Sequence, residues 1–148
     1  MNGFLLDTNI ISMFSPSKTV ATPAFAEWLE EQEKLKAIYL SAMTIHEIEK
    51  GVRLLEARGA TSKAALIEMF LQGLVAGYGD RILAVDAETA RESGRLEAKA
   101  VSAGHSPGAV DALIAGTASH HGLTVITHNL KHFRPFEIYV KSPDELPS

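Results

Sequence analysis

Short apolar runs alternate with helical patterns along the whole chain, and this alternation restricts the fold more than any other feature. Phe4-Leu5-Leu6, Ala37-Ile38-Tyr39-Leu40, Arg81-Ile82-Leu83-Ala84-Val85, Leu123-Thr124-Val125-Ile126-Thr127 and Ile138-Tyr139-Val140 each read as a strand. The first, three bulky apolar residues in a row, reads as a strand buried on both faces, as in a parallel sheet. Helical patterns fill the intervals. The expected architecture is α/β: three layers, with helices on both faces of a central parallel sheet of four to five strands. With 148 residues and no internal repeat, linker or low-complexity block, the chain is expected to form one domain over residues 1–148.

Asp7 falls where the first strand ends. In open α/β sheets the carboxyl edge of the strands is where ligands bind. Two readings compete for it: a metal ligand, or the N-cap of a short helix through Ile10, Ile11, Met13 and Phe14. Ser15-Pro16-Ser17-Lys18 is a loop, and its Ser-x-x-Lys spacing is a chance match to a serine-acylase pattern, since the partner motifs are missing. Thr22-Pro23 opens the next helix, with Phe25, Trp28 and Leu29 as its apolar stripe and Glu27, Glu30, Glu31 and Glu33 as its wet face.

The helix from about Ser41 to Ala57 follows the second strand directly, so its first turns lie at the same sheet edge. Thr44-x-x-Glu47 is a possible capping box. A start at Ser41 instead would free Glu47 and deliver it beside Asp7. His46 reads as a surface or supporting group. After Gly59 and Thr61-Ser62, the strongly apolar helix Ala64–Gly77 reads as buried core or as a dimer surface. Asp86 reads as an N-cap of a helix running to about Ala103. Gly104 to Gly108 is a loop without phosphate-loop spacing.

A helix from about Gly108, ending at His121-Gly122, leads into the fourth strand. It must therefore begin at that strand's carboxyl edge, which places Asp111, in its first turn, with Asp7 and Glu47. Complementing the helix dipole is the plainer explanation of Asp111. Asn129 lies just past the fourth strand, as Asp7 does past the first. His128 and His132 fall in a loop and are expected to make surface or substrate contacts.

Composition narrows the chemistry. The absence of Cys excludes disulfides and thiolate metal sites. A net charge of −4 argues against a protein that coats nucleic acid. No apolar run approaches the roughly 20 residues needed to cross a bilayer. The N-terminus has no basic stretch, so no signal peptide is expected and the cytoplasm is the expected location. Asp7, Glu47, Asp111 and Asn129 come from four separated segments, yet simple topology gathers them at one edge. Clustered acids repel unless a cation joins them. All-oxygen ligation suits Mg²⁺ or Mn²⁺, and such ions support hydrolysis of a phosphodiester.

Leu5-Leu6-Asp7-Thr8-Asn9, Thr44-Ile45-x-Glu47-Ile48-x-x-Gly51, Val110-Asp111-Ala112-Leu113-Ile114-Ala115 and Thr127-x-Asn129-x-x-His132-Phe133 resemble the successive motifs of PIN-domain proteins. The likeness covers nearly the whole chain and is greatest to the VapC- and FitB-type toxins of toxin–antitoxin pairs. It implies a PIN fold, Mg²⁺- or Mn²⁺-dependent endoribonuclease activity on RNA and a cognate antitoxin, with operator DNA reached only through that antitoxin. It implies metal binding by Asp7, Glu47 and Asp111, with Thr8 and Asn9 orienting Asp7 or lining the site. The fourth family position is often Asp and here is Asn129; where many relatives carry another Asp, this chain has His132.

Two other functions compete. A strand-end Asp also marks aspartyl-phosphate phosphatases and phosphoreceiver domains, but Asp7-Thr8-Asn9 lacks their second acid two residues on. A weakly active or non-catalytic PIN module, working mainly in an antitoxin complex on operator DNA, is the second. A homodimer is expected, and no membrane partner. Lys50, Arg53, Lys131 and Arg134 lie near the motifs as candidate phosphate contacts, with ordinary surface charge as the alternative.

Overall fold

A computed structural model describes residues 3–16 and 21–146. Five parallel strands form its sheet: β1 (Gly3–Leu6), β2 (Ile38–Ser41), β3 (Ile82–Leu83), β4 (Leu123–Ile126) and β5 (Val140–Lys141), in the order β3-β2-β1-β4-β5. The helices are α1 (Thr8–Ser12), α2 (Pro23–Lys34), α3 (Ala42–Ala57), α4 (Thr61–Tyr78), α5 (Ala87–Ser102), α6 (Ala109–His121) and α7 (Leu130–Phe133).

Successive residues of a strand point to opposite faces, and β1 uses both. Leu5 joins a core with Leu96, Ala100, Ile114, Ala118, Phe133 and Phe136 from the α5–α7 side. Leu6 joins a second core with Ile10, Phe25, Trp28, Ile48 and Leu71 from the α1–α4 side. Val125 and Ile126 of β4 divide in the same way. Two apolar faces on a parallel sheet require two covering layers, which gives the expected α/β/α sandwich. The chain lays down β1, β2 and β3 in one direction, then returns to the far side of β1 for β4 and β5. The order therefore reverses between β1 and β4, and the crevice at a reversal, beyond the carboxyl ends, is where such folds bind ligands.

Several boundaries differ from the sequence reading. The first helix carries the Asp7 cap but stops at Ser12, short of Met13 and Phe14. α4 begins at Thr61, so only Arg58, Gly59 and Ala60 separate it from α3. Ile48 and Leu71 join the sheet's core, so α3 and α4 lie against the sheet; Leu66, Met69 and Val75 stay exposed on α4. β3 is confined to Ile82–Leu83, since Arg81 sits in a 3₁₀ turn, donates to the Ile38 carbonyl at 2.7 Å and pairs with Glu33. β5 is shifted to Val140–Lys141. Residues 130–133 form one helical turn rather than loop. The Ser17-Lys18 half of the serine-acylase match lies outside the described residues.

α5 and α6 pack closely at one point. A Cβ on Gly116 would stand 1.9 Å from Ser93 Oγ and 2.7 Å from Ser93 Cα. Only glycine permits that approach, and it seats α6, with Asp111 in its first turn, against the sheet.

Candidate metal centre

Asp7 closes β1 and is 6% exposed. Its Oδ1 accepts from the Thr8 amide at 2.8 Å and caps α1. Its Oδ2 accepts from the Thr127 hydroxyl at 2.8 Å and from Asn9 Nδ2 at 3.3 Å. One oxygen thus serves the helix, and the other is held across the β1–β4 crevice. Thr127 Oγ1 also accepts from the Asn129 amide at 2.9 Å and from Asn9 Nδ2 at 3.3 Å. This fully buried hydroxyl ties Asp7, Asn9 and the turn after β4 together.

Glu47 is released from capping in the way an early helix start allows. Ser41 is the N-cap of α3, and its hydroxyl accepts from the Met43 amide at 3.0 Å. Thr44 is buried, with its hydroxyl 3.1 Å from Thr8 Oγ1, and the Thr8 hydroxyl donates to Glu47. Thr8 therefore links Glu47 to the β1 end, while its amide holds Asp7.

Asp111 stands in the first turn of α6. Its Oδ2 lies 3.5 Å from His132 Nδ1 on α7. His132 is thus an Asp111 partner, a contact that its place in the chain does not reveal. Asn129 sits at the head of α7; its amide is bound to Thr127, and its side chain is exposed and forms no hydrogen bond among the described residues. His46 is exposed. Arg53 is engaged elsewhere, by Glu49, Glu56 and Glu68, which removes it from the candidate phosphate contacts.

Burial pushes the Asp7 carboxyl above its ordinary value; hydrogen bonds from Thr127 and Thr8 pull it back, and the charges of Asp111 and Glu47 push it up again. Burial also raises Asp111, with His132 opposing and Glu47 reinforcing the rise. Asp7 therefore feels the charges of both Asp111 and Glu47, and Asp111 feels that of Glu47, from three different elements. Among the described residues, no Lys or Arg forms an ion pair with any of them. The donors suit a hard divalent cation: oxygens only, with like charges to neutralise. Among the described residues, however, no three acidic or imidazole side chains already form a metal-holding group. Glu47 is turned to Thr8 and Asp111 to His132.

The PIN-domain family model matches residues 4–135, and the chain belongs to that family. Toxin FitB of Neisseria gonorrhoeae is 33% identical over 139 residues, covering 94% of this chain and 96% of that one. A VapC ribonuclease of Sinorhizobium fredii is 30% identical over 142 residues, covering 95% and 97%. The structure of FitAB bound to a DNA fragment matches with a TM-score of 0.81 at 32% identity, over 98% of both chains.

Proposed function

We propose that this chain is a Mg²⁺- or Mn²⁺-dependent endoribonuclease and the toxin of a toxin–antitoxin pair. The observation that carries the reading is the placing of Asp7, Glu47 and Asp111 near enough that Asp7 feels both other charges, with no Lys or Arg ion-paired to any of them among the described residues, beside the crevice between β1 and β4. The likeness to a toxin and to a VapC ribonuclease supports it.

Asp7, Glu47 and Asp111 are the residues that would hold the ion, and Asn129 is tied to the Asp7 side of the site through its amide on Thr127. A bound ion would polarise a phosphoryl oxygen and acidify the attacking water. The chain's own residues do the rest. Thr127, Asn9 and the Thr8 amide fix both oxygens of Asp7, so the one fully oriented carboxylate needs no further ordering. To hold an ion, Glu47 and Asp111 would have to exchange their contacts with Thr8 and His132 for it. Hydrolysis then joins water oxygen to phosphorus as the bond from phosphorus to the leaving ribose oxygen breaks.

Purified protein should cleave RNA when Mg²⁺ or Mn²⁺ is supplied and stop in EDTA. Cleavage that survives Asp111→Asn unchanged overturns the assignment. The partners follow from the same reading: a cognate antitoxin, operator DNA reached through it, and a second copy against the exposed Leu66, Met69 and Val75 of α4; the similar FitAB is solved bound to a DNA fragment. Expression in bacteria should slow growth, and Asp7→Asn should abolish the effect. Among the described residues no helix is long and apolar enough to cross a membrane.

A second reading rests on Asn129 and on the unconverged Glu47 and Asp111: a weakly active module whose main work is in the antitoxin complex on DNA. Retention of DNA-complex formation by a protein without metal-dependent cleavage would favour it.

A further inference from the structure

The first turn of α6 is a ridge between two recesses. On one side Val110 shares a recess with Glu47, His46 and Lys50. On the other, Asp111 shares a recess of about 380 Å³ with His132, Lys131 and His105. Glu47 and Asp111 thus each share an outer recess with a lysine.

Lys50 and Lys131 are the exposed cations that line the recesses on either side of the α6 ridge. Arg53, Arg81, Arg95 and Lys99 are each held by a carboxylate. Lys50 and Lys131 are exposed and have no ion-pair partner among the described residues. Lys50 is one residue from Glu49 and three from Glu47, yet Glu49 is taken by Arg53 and Glu47 by Thr8. Its ammonium is left facing solvent at the rim of the acidic site.

An acidic centre that cuts a polyanion has an electrostatic problem that an ion solves only locally. The phosphate being cut is neutralised, but the phosphates before and after it still meet the field of the carboxylates. Cations on both outer flanks offset that repulsion. We propose that Lys50 and Lys131 form a two-sided grip on single-stranded RNA, each holding one backbone phosphate beside the scissile one. A flexible single strand can pass over the α6 ridge from the Lys50 recess to the Lys131 recess, with His105 beside the second phosphate. The inference rests on the ribonuclease reading and names the residues that position its substrate. Phosphate contacts set position and carry no base specificity, so cleavage preference is assigned to other residues.

Salt dependence of binding tests this without metal or cleavage. The affinity of a short fluorescent single-stranded RNA is measured in EDTA over a range of salt concentrations. Each phosphate contact contributes about −0.7 to the slope of log affinity against log salt for a single strand. Lys50→Gln and Lys131→Gln should each flatten the slope by about 0.7, and the double variant by about twice that. Arg91→Gln removes an exposed cation outside both recesses and should leave the slope unchanged. Circular dichroism confirms that each variant is folded. Wild-type slopes in the lysine variants, an equal flattening in Arg91→Gln, or wild-type binding insensitive to salt would each overturn the grip. Wild-type cleavage with Mg²⁺ is measured in parallel. Cleavage with unchanged lysine slopes sinks the grip alone, whereas the expected slopes without any cleavage sink the nuclease reading alone.

Discussion

Replacing Thr127 with Val removes the hydroxyl that organises the crevice and little else, because the two side chains have nearly the same shape. The hydroxyl is fully buried, donates to Asp7 Oδ2 at 2.8 Å and accepts from the Asn129 amide at 2.9 Å. A hydrogen bond to a charged acceptor contributes about 1.5–3 kcal/mol, and a neutral one about 1 kcal/mol. With both bonds lost, the cost in metal-free protein should therefore be about 2.5–4 kcal/mol where Asp7 is ionised and about 2 kcal/mol where it is protonated. The pH dependence follows from Asp7's raised folded pKa. A carboxyl raised on folding stabilises the fold below its unfolded value, and that stability is lost as pH rises through the folded value. The Thr127 bond opposes the rise, so its removal lifts the folded value further and deepens the loss. The gap between wild type and Thr127→Val should widen as pH rises from about 4 toward neutrality. Urea unfolding in EDTA across that range measures it. A gap that is flat with pH, or below about 0.5 kcal/mol throughout, would refute a charge-bearing bond between Thr127 and Asp7.

Other expectations follow from the same geometry. Gly116→Ala should destabilise by about 1–3 kcal/mol, because the new Cβ meets the Ser93 backbone and forces α5 from α6; urea unfolding reads this, and an unchanged midpoint would contradict the packing. Asp111→Asn should leave metal-free stability unchanged or raise it at neutral pH, since the ionised carboxyl is disfavoured on folding, while abolishing cleavage; thermal melts in EDTA and an RNA cleavage assay check the two halves. Arg81→Met should cost about 1–2 kcal/mol by removing the donor to the Ile38 carbonyl and the ion pair to Glu33, which keeps its Tyr78 partner, and should speed amide exchange in β3.

Residues near in sequence were legible in proportion to how local their interactions are. The strand ends at Asp7 and Asn129, the first-turn place of Asp111 and the Asp86 cap all depend on a few neighbours, and the structure places each at its expected point. Glu47 was ambiguous because two helix starts fit the same letters; the Ser41 cap decides between them through one hydrogen bond. Thr127 was visible only as a member of a motif. Its bond to Asp7 spans 120 residues, and no local pattern encodes it. The same is true of the Asp111–His132 contact and of the Gly116–Ser93 approach. The strand order was not legible either, since placing β4 beside β1 depends on which helices cover which face. Arg53 shows the limit for charges: its neighbours on α3 and α4 claim it, and a position near a motif does not reveal that.

A Mg²⁺ titration of thermal stability tests most directly whether Asp7 is a metal ligand. Wild type and Asp7→Asn are melted in EDTA and at rising Mg²⁺ concentration, with ionic strength held constant. A ligand that binds only the folded state stabilises it by about 2.7 kcal/mol at a hundredfold excess over its Kd. For a chain of this size that corresponds to a rise in Tm of about 5–10 °C. Wild type should show this rise and Asp7→Asn should show little of it, even though Asn can still cap α1. Parallel Mg²⁺ responses in the two proteins would contradict a metal site at Asp7 and leave it as a helix cap alone.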